Sequence, residues 1–382
     1  MKHLLLVSLL LASTTSTICA MCAMCAMCAM CAMCAMCATC TKGAHDKPPY
    51  ITFSQFERLS QEPILAPRPG KFDSAGAFNP AATRLANGHT ALLYRGQDEH
   101  GVSRIGYAES EDGINFKADD QPVIAPQSST AENKRDDSDG VEDARLTRDF
   151  TGKNWLATAT AYSKANDSAQ LVSYVSHGKD LRQWQRQSVI MPANQGRWNI
   201  HWTKSGAIVV DNKARPKKIN KEYFVYYMGD AKSGADQMGV ASSGDGIFWQ
   251  DKTELPVLPR RPGMFDSRVV EPGPHPIITQ DGILLLYNGG DDSLTYRTGW
   301  ALFDKNDPSI LLARCSEPIF SPQLAWEKKN ASNTVHQVPN VVFVEGIVPE
   351  YKDGKLIKDS YLVYYGSADS YVGVARTHLV GP

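Results

Sequence analysis

The chain has 382 residues, of which 21% are charged and 42% hydrophobic, and its formal net charge is -1 at pH 7. This is an ordinary globular composition with enough length for a sizeable core. A charge so close to zero excludes the strong overall basic field by which proteins bind nucleic acid or lie on anionic membranes.

The first 20 residues have the pattern of a secretory signal peptide. Lys2 and His3 precede an apolar run over residues 4–11, and Ile18-Cys19-Ala20 is a candidate cleavage site. The run is too short to span a bilayer. We therefore predict an exported protein, periplasmic, extracellular or tethered to a membrane as a lipoprotein. The alternative is a buried N-terminal strand. Lipid attachment at Cys19 stays open, although the residues before it match the usual attachment pattern poorly.

A low-complexity tract follows, in which Met-Cys-Ala repeats over residues 21–39. Eight of the nine cysteines lie between Cys19 and Cys40, and the ninth is Cys315. Cysteines three apart can bind zinc, but no histidine and no second cluster accompany them here. With one thiol beyond the tract, a disulfide framework is excluded. We predict an unstructured tether over residues 21–46 and a catalytic domain over residues 47–382, with metal binding by the tract as the alternative.

From residue 48 onward, short apolar strands alternate with turns rich in Gly, Asp, Asn and Pro. One pattern, an aromatic-containing strand that ends in a small or polar corner, recurs at roughly sixty to eighty residues. Five such units predict an all-β fold, a five-bladed β-propeller in which neighbouring blades bury each other's faces. The last blade is short, and residues 50–53 could supply its missing strand. The five copies cover residues 91–97, 156–162, 223–230, 283–290 and 361–367.

The most informative charged segment is Gly140 to Thr147, which contains Glu142, Asp143 and Arg145. It lies where a polar loop enters an apolar strand, a common place for catalytic groups on a rigid scaffold. The alternative is a solvated charged turn, since structural ion pairs are frequent. Strand alternation predicts that Glu142 faces away from the side on which Asp143 lies.

Seven motifs spread over roughly residues 50–376 resemble glycoside hydrolase family 130, the β-mannoside phosphorylases and hydrolases, which are five-bladed propellers. One departure from the family pattern is Ala144, where a proline is usual; proline would only stiffen the turn. The motifs that carry the resemblance cover residues 77–81, 140–145, 204–208, 265–274, 301–308, 338–346 and 364–370.

The resemblance implies that Asp143 is the proton donor and that Arg145 holds its carboxylate or a sugar hydroxyl. Phosphorylases need cations that bind phosphate, whereas an inverting hydrolase needs a second carboxylate that activates water. At the two positions that match the cationic ones in phosphorylases, this chain has Asp230 and Glu271. We therefore predict an inverting β-mannosidase, acting on β-1,2-linked manno-oligosaccharides, with Glu271 and Asp230 as the water-activating pair.

Other polar residues in the matching motifs are predicted to bind the sugar, with an ordinary surface role as the alternative for each. These are Asn79, Arg95, His201, Lys204 and Asp369. No nucleophile motif or nucleotide-binding loop is present, and we predict no cofactor and no metal. Two further hypotheses stay open: a β-mannoside phosphorylase that releases mannose 1-phosphate, and a non-catalytic glycan-binding propeller.

Overall fold

The computed structural model describes residues 50–127, 136–177, 181–193, 197–231, 235–331 and 337–381. The predicted signal peptide and the Met-Cys-Ala tether lie outside the described residues and remain predictions. No helix in the described ranges is long and apolar enough to cross a bilayer.

The described ranges contain one short 3-10 turn, Ala325–Glu327, and 22 strands. In chain order the strands are β1 (Thr52–Phe53), β2 (Glu57–Arg58), β3 (Gly76–Arg84), β4 (Thr90–Gln97), β5 (Ser103–Ser110), β6 (Lys117–Ala118), β7 (Gly140–Arg148), β8 (Trp155–Ser163), β9 (Ser168–Ser176), β10 (Gln185–Met191), β11 (Asn199–Ile208), β12 (Tyr223–Ala231), β13 (Ala235–Ser243), β14 (Gln250–Asp251), β15 (Val269–Pro272), β16 (Ile277–Ile278), β17 (Ile283–Gly290), β18 (Tyr296–Phe303), β19 (Leu311–Arg314), β20 (Val342–Lys352), β21 (Lys355–Ser367) and β22 (Tyr371–Val380).

The strands form the predicted five-bladed propeller. Blade 1 comprises β3 to β6, blade 2 β7 to β10, blade 3 β11 to β14, blade 4 β15 to β19, and blade 5 β20 to β22 with β1 and β2. Within a blade, successive strands pair antiparallel. Single parallel pairs, such as Ser103 with Gly140 and Asp236 with Val269, join one blade to the first strand of the next. The first strand of each blade, here called the inner strand, lies nearest the central axis.

The N-terminal segment closes the ring, as predicted for residues 50–53. Thr52 pairs with Val380 and Phe53 with Leu379, so β1 adds an outer strand to blade 5. β2 pairs with the same strand, through Glu57 opposite Arg376. These two short strands cover part of the outer edge of β22, and an uncovered sheet edge is a site for aggregation.

The core consists of five apolar clusters, one at each interface between neighbouring blades. Leu92 and Leu93 in β4 illustrate why the sequence produces this. Adjacent residues of a strand point to opposite faces, so Leu92 packs against blade 5 and Leu93 against blade 2. Blade strands therefore contain continuous apolar runs rather than an alternating pattern, because both of their faces are buried.

Candidate active site

A cavity of about 340 Å³ opens at the end of the axis where the inner strands begin. All five blades contribute to its wall, so residues far apart in sequence converge there. Its lining is rich in carboxylates, cations and aromatic rings. The lining includes Asn79, Arg95, Glu142, Asp143, Tyr162, Lys164, Trp202, Lys204, Asp236, Glu271, Tyr296, Phe343 and Asp369.

Three inner strands are bulged at equivalent positions. Asn79, Asp143 and Ser205 have positive φ angles of 48°, 52° and 58°. The strand registers shift at each of these residues. A bulge adds a residue to one strand and redirects its side chains, and such features are frequent beside active sites. Here they aim side chains from blades 1, 2 and 3 at one cavity.

The bulge at Asp143 overturns one expectation. Alternation predicted that Glu142 and Asp143 would face opposite sides, but both line the cavity. The left-handed conformation of Asp143 interrupts the two-residue period that the prediction assumed. Glu142 accepts a hydrogen bond from Arg95 Nη2 at 2.8 Å and lies 3.6 Å from Lys204 Nζ. It is therefore an ionic partner of two cations of the site.

Asp143 is only 6% exposed and is surrounded by donors. Asn79 Nδ2 donates a hydrogen bond to its Oδ1 at 2.9 Å, and Arg95 Nη1 lies 3.3 Å from the same atom. Burial by itself would raise the pKa of Asp143, but Arg95, Arg145, the Asn79 hydrogen bond and Lys204 together lower it below its usual value. The carboxyl group is thus ionised in the free protein.

Glu271 lies on blade 4 and accepts a hydrogen bond from the Ser205 hydroxyl. It is 7% exposed. Burial, supported by the nearby charge of Asp143, raises the pKa of Glu271 to about 7, although Arg145, Ser205 and Lys204 act in the opposite direction. Near neutral pH this carboxyl group therefore holds a proton for much of the time.

Arg145 lies beneath the cavity and is 2% exposed. Its Nη1 donates to the backbone oxygen of Asp143 at 2.9 Å, and its Nη2 and Nε donate to the backbone oxygens of Pro272 and Gly273 at 2.7 and 3.2 Å. Glu345 Oε1 lies 2.9 Å from the same Nη1. One guanidinium thus links blade 2, blade 4 and blade 5. We predicted contact with the Asp143 carboxylate or a sugar hydroxyl, but the hydrogen bond goes to the backbone of Asp143.

Glu345 is a site residue that sequence reasoning missed. Its side chain is fully buried against Arg145, and burial raises its pKa well above the usual value. Two signals were present in the sequence: Glu345 directly follows the apolar segment Val342-Phe343-Val344, and it lies within the motif over residues 338–346. A carboxylate within a buried strand needs a cationic partner, and Arg145 is that partner.

His201 and Asp230 are close to the cavity but not on its wall. His201 Nδ1 lies 2.9 Å from Asp230 Oδ2, and the indole N–H of Trp202 donates to His201 Nε2. Trp202 itself lines the cavity. The structure thus brings these two predicted residues together as a pair that supports Trp202, and it does not bring Asp230 beside Glu271 on the wall.

Asp236 is the acid that blade 3 adds to the wall, and sequence reasoning missed it. It pairs with Asp230 across β12 and β13. Burial and the neighbouring charge of Asp230 raise the pKa of Asp236 to about 6. The position of Asp236 could have been predicted from the turn between the two strands. In a hairpin with this turn, the residue six positions after Asp230 lies opposite Asp230.

The remaining predicted residues lie on the cavity wall. Asp369 accepts a hydrogen bond from the backbone N–H of Val338 at 2.8 Å, and burial raises its pKa to about 6. Lys204 Nζ lies 4.9 Å from the centre of the Trp202 ring. Burial would lower the pKa of Lys204, but Glu142, Glu271 and Asp143 raise it, so its charge is held by acids of the site.

The described residues contain no cluster of three or more side chains suited to a metal ion. The site instead offers buried carboxylates with different charge states, paired cations, an asparagine amide and aromatic faces. Such groups can transfer protons and form hydrogen bonds to the hydroxyls of a sugar.

Comparison with known proteins agrees with this picture. Residues 59–380 match the sequence profile of the glycoside hydrolase family 130, described as "beta-1,4-mannooligosaccharide phosphorylase". A 1,2-beta-oligomannan phosphorylase from Thermoanaerobacter sp. (strain X514) is 32% identical, over 84% of this chain and 96% of that protein.

Solved structures agree as well. A glycosyl hydrolase from Bacteroides ovatus is 32% identical with a TM-score of 0.70, covering 85% of this chain and 94% of that chain. A second structure has the same identity, coverage and TM-score. It is described as "The GH130 family of mannoside phosphorylases contains glycoside hydrolases that target beta-1,2 mannosidic linkages in Candida mannan". On the fold, the family profile and these relatives, the chain belongs to glycoside hydrolase family 130.

Proposed function

We propose that this protein hydrolyses β-mannosides with inversion, and that its substrates are β-1,2-linked manno-oligosaccharides. One observation carries the choice of hydrolysis over phosphorolysis. Among the residues that line the cavity, five are carboxylic acids and three are cations. The two deep cations, Arg95 and Lys204, already face Glu142. A phosphate ion in this cavity would meet five acids and, among the described lining residues, one cation without an acidic partner, Lys164, which disfavours its binding.

The proposed chemistry uses Asp143 and Glu271 as the reacting pair. An inverting hydrolase needs one carboxyl group that protonates the leaving oxygen and one carboxylate that activates water. The pKa of Asp143 is low and that of Glu271 is about 7. At any pH between these two values, the two carboxyl groups together hold one proton. In the free protein this proton lies on Glu271. We propose that the reaction proceeds from the form in which Asp143 holds the proton and Glu271 is ionised.

Further residues have proposed roles in sugar binding. Asn79 and Arg95 orient the Asp143 carboxylate and can extend hydrogen bonds to sugar hydroxyls. Trp202, held by the His201 and Asp230 pair, offers an aromatic face to a sugar ring. Asp369 and Lys204 add an acceptor and a donor to the same wall.

Phosphorolysis is the second candidate function. It is favoured by the 32% identical oligomannan phosphorylase and by a 30% identical β-1,2-mannobiose phosphorylase of the same organism. Lys164 lines the rim and is exposed, so a single cation is available to phosphate there. One cation beside five acids is a weak phosphate site, and for this reason we rank phosphorolysis second.

Incubation with β-1,2-mannobiose, with and without phosphate, separates the two functions. Hydrolysis predicts free mannose at the same rate in both conditions, and proton NMR during early turnover should show the α anomer from the non-reducing sugar. Mannose 1-phosphate formed only when phosphate is added would overturn the proposal in favour of phosphorolysis. Binding of mannobiose with no product in either condition would instead support a non-catalytic glycan-binding role.

We also propose that the protein is exported, on the basis of its N-terminal sequence alone. Cell fractionation of the natural host, with antibody against the propeller, tests this. Recovery in the cytosolic fraction at full length would contradict it.

A further inference from the structure

A second cavity, of about 590 Å³, opens at the opposite end of the inner strands. Asn79 and Asp143 lie near the beginning of β3 and β7, whereas Arg84 and Arg148 end the same two strands and line this second cavity. Five residues of strand separate each pair, a distance of about 16 Å at the usual rise per residue. The two cavities are therefore distinct.

Arg84 and Arg148 occupy equivalent positions in neighbouring blades. Each comes five residues after the bulged residue of its inner strand, Asn79 in blade 1 and Asp143 in blade 2. β3 and β7 are in contact side by side. The two guanidinium groups thus belong to adjacent inner strands and face one cavity.

Neither arginine has an acidic partner in the described part of the chain. Among the described residues, none forms a hydrogen bond or an ion pair with the guanidinium group of Arg84 or Arg148. Each guanidinium instead covers an aromatic ring, Arg84 at 4.0 Å from the centre of Tyr351 and Arg148 at 3.6 Å from that of Trp155. Stacking holds a guanidinium in place while leaving its N–H groups free to donate in the plane of the group.

The surroundings of Arg148 favour an anion. Burial lowers its pKa, and the charge of Asp149 only partly opposes this. The Asp149 carboxylate is already engaged by Thr151 and Asn154. A partly desolvated cation without a close counter-charge gains free energy when an anion binds.

The other charged groups around this cavity reinforce that preference. Lys213 also lines it and has no ion pair with any residue that the structure describes. Of the two lining acids, Asp211 forms an ion pair with Arg215 at 2.6 Å, and Asp359 is half exposed and lies 3.9 Å from Lys358, which also lines the cavity. Three cations therefore face the cavity without a carboxylate, the reverse of the arrangement at the first cavity.

We infer that this second cavity is a binding site for an oxyanion of the phosphate class, held by Arg84 and Arg148. Two stacked guanidinium forks match the bidentate geometry of phosphate oxygens. The ligand would be free phosphate, a phosphorylated sugar or the phosphate of a lipid headgroup. The inference does not depend on the proposed catalytic function.

The test is a calorimetric titration of the full-length protein with inorganic phosphate at pH 7 and low salt. Saturable binding is expected, and Arg84→Gln with Arg148→Gln should weaken it by about tenfold or more, since two charge-assisted hydrogen-bond donors are lost. Lys358→Gln is the matched control, because it lines the same cavity but is placed beside Asp359; it should change affinity by less than about twofold.

Two further variants keep the outcome clear. Asp143→Asn should bind phosphate as the natural protein does, and the double arginine variant should keep the circular dichroism spectrum and thermal unfolding midpoint of the natural protein, which shows that it is folded. Absence of saturable binding, or binding that survives the arginine changes but is lost in Lys204→Gln, would overturn the inference.

The source of the phosphate is distinguished by two additional ligands tested with the natural protein and the double variant. Mannose 6-phosphate binding more tightly than inorganic phosphate would assign the site to phosphorylated sugars. Co-sedimentation with phosphatidylglycerol vesicles, but not with phosphatidylcholine vesicles, would assign it to anionic lipid. In either case the double arginine variant should lose the binding.

Discussion

Asp143 on blade 2 and Glu271 on blade 4 are both buried carboxyl groups on the cavity wall, yet the two groups have opposite charge states. Asp143 is in a left-handed bulge, with Arg95 and Asn79 directly on its oxygens. Glu271 is in a regular strand between Val270 and Pro272, and its hydrogen-bond donor is the neutral hydroxyl of Ser205. Burial is similar, 6% and 7% exposed.

The difference between them shows that neighbouring cations, and not burial, decide which acid is ionised. Burial would raise the pKa of both groups. At Asp143 close cations overcome this effect, whereas at Glu271 they do not. Environments that drive two carboxyl groups apart in pKa are typical of acid and base pairs in glycosidases.

The largest effect is expected from Asp143→Asn. In the proposed mechanism this group gives its proton to the leaving oxygen, so kcat should fall by about a thousandfold, within the range for loss of a general acid. Initial rates of mannose release from β-1,2-mannobiose measure this. Calorimetric titration should show that mannobiose still binds. Full turnover in this variant would show that Asp143 is not the reacting acid.

Glu271→Gln should lower the rate of hydrolysis by about a hundredfold or more. Unlike Asp143→Asn, it should also make the fold more stable at high pH. The pKa of Glu271 is raised from 4.5 to about 7, so its protonated form is favoured in the folded state, and stability is lost as pH rises from 4.5 through 7. An amide has no charge to bury. The gain in the free energy of unfolding should be about 3 kcal/mol at pH 8 and under about 1 kcal/mol at pH 5.

Urea denaturation at the two pH values measures this change. Glu350→Gln is a control on blade 5, since the pKa of Glu350 is lowered and its ion pair with Arg376 stabilises the fold. That variant should be less stable than the natural protein at pH 8, opposite in sign to Glu271→Gln. Equal destabilisation by both changes would contradict the charge state assigned to Glu271.

Arg145→Lys tests whether the buried guanidinium group holds blade 2, with Asp143, in a set position relative to blade 4, with Glu271. A lysine cannot reach the backbone oxygens of Asp143, Pro272 and Gly273 together, so the two carboxyl groups should lose their set positions. Misplacement of reacting groups by about 1 Å can reduce kcat about a hundredfold, and we expect a loss of about ten- to a hundredfold.

The matched control for this variant is Arg148→Lys, the same substitution three residues further along β7, at the end of the strand. Its rate of mannobiose hydrolysis should be unchanged. The Arg145→Lys variant should lose kcat with little change in KM, because the guanidinium does not face the cavity. A change confined to KM would indicate direct sugar binding instead.

The smallest expected effect is on the pH dependence of kcat/KM. The reacting pair needs one proton, and it loses that proton as pH rises through the pKa of about 7 of Glu271. The rate should therefore fall about tenfold for each pH unit above 7. In Glu271→Gln the proton must reside on Asp143 itself, whose pKa is low, so the fall should begin at a more acidic pH. A profile that rises above pH 8 would contradict the one-proton requirement.

The fold could be predicted from the sequence because each blade strand is recognisable from its own pattern of apolar residues. Continuous apolar runs such as Leu92-Leu93 mark strands buried on both faces, and their repetition predicted five blades. The closing strand at Thr52 and Phe53 followed from the short last blade. The segment with Glu142 and Asp143 was singled out by its place at the entry to a strand, and the family resemblance implied the role of Asp143, which does line the cavity.

Other features of the site could not be predicted from local sequence. A bulge depends on pairing with a partner strand and cannot be predicted from one strand alone. The assumption of regular alternation therefore placed Glu142 and Asp143 on opposite faces, whereas both line the cavity. Asp236 reaches the wall through its pairing opposite Asp230, and Glu345 meets Arg145 only because blades 2 and 5 both approach the axis.

By itself, then, the sequence determined the architecture, since apolar periodicity and turn residues act over a few neighbouring positions and repeat along the chain. The tertiary structure decided which acids are ionised and how deeply each arginine side chain is buried. Electrostatic free energies depend on distances of a few ångströms between groups from different blades, and such distances exist only after the ring has closed.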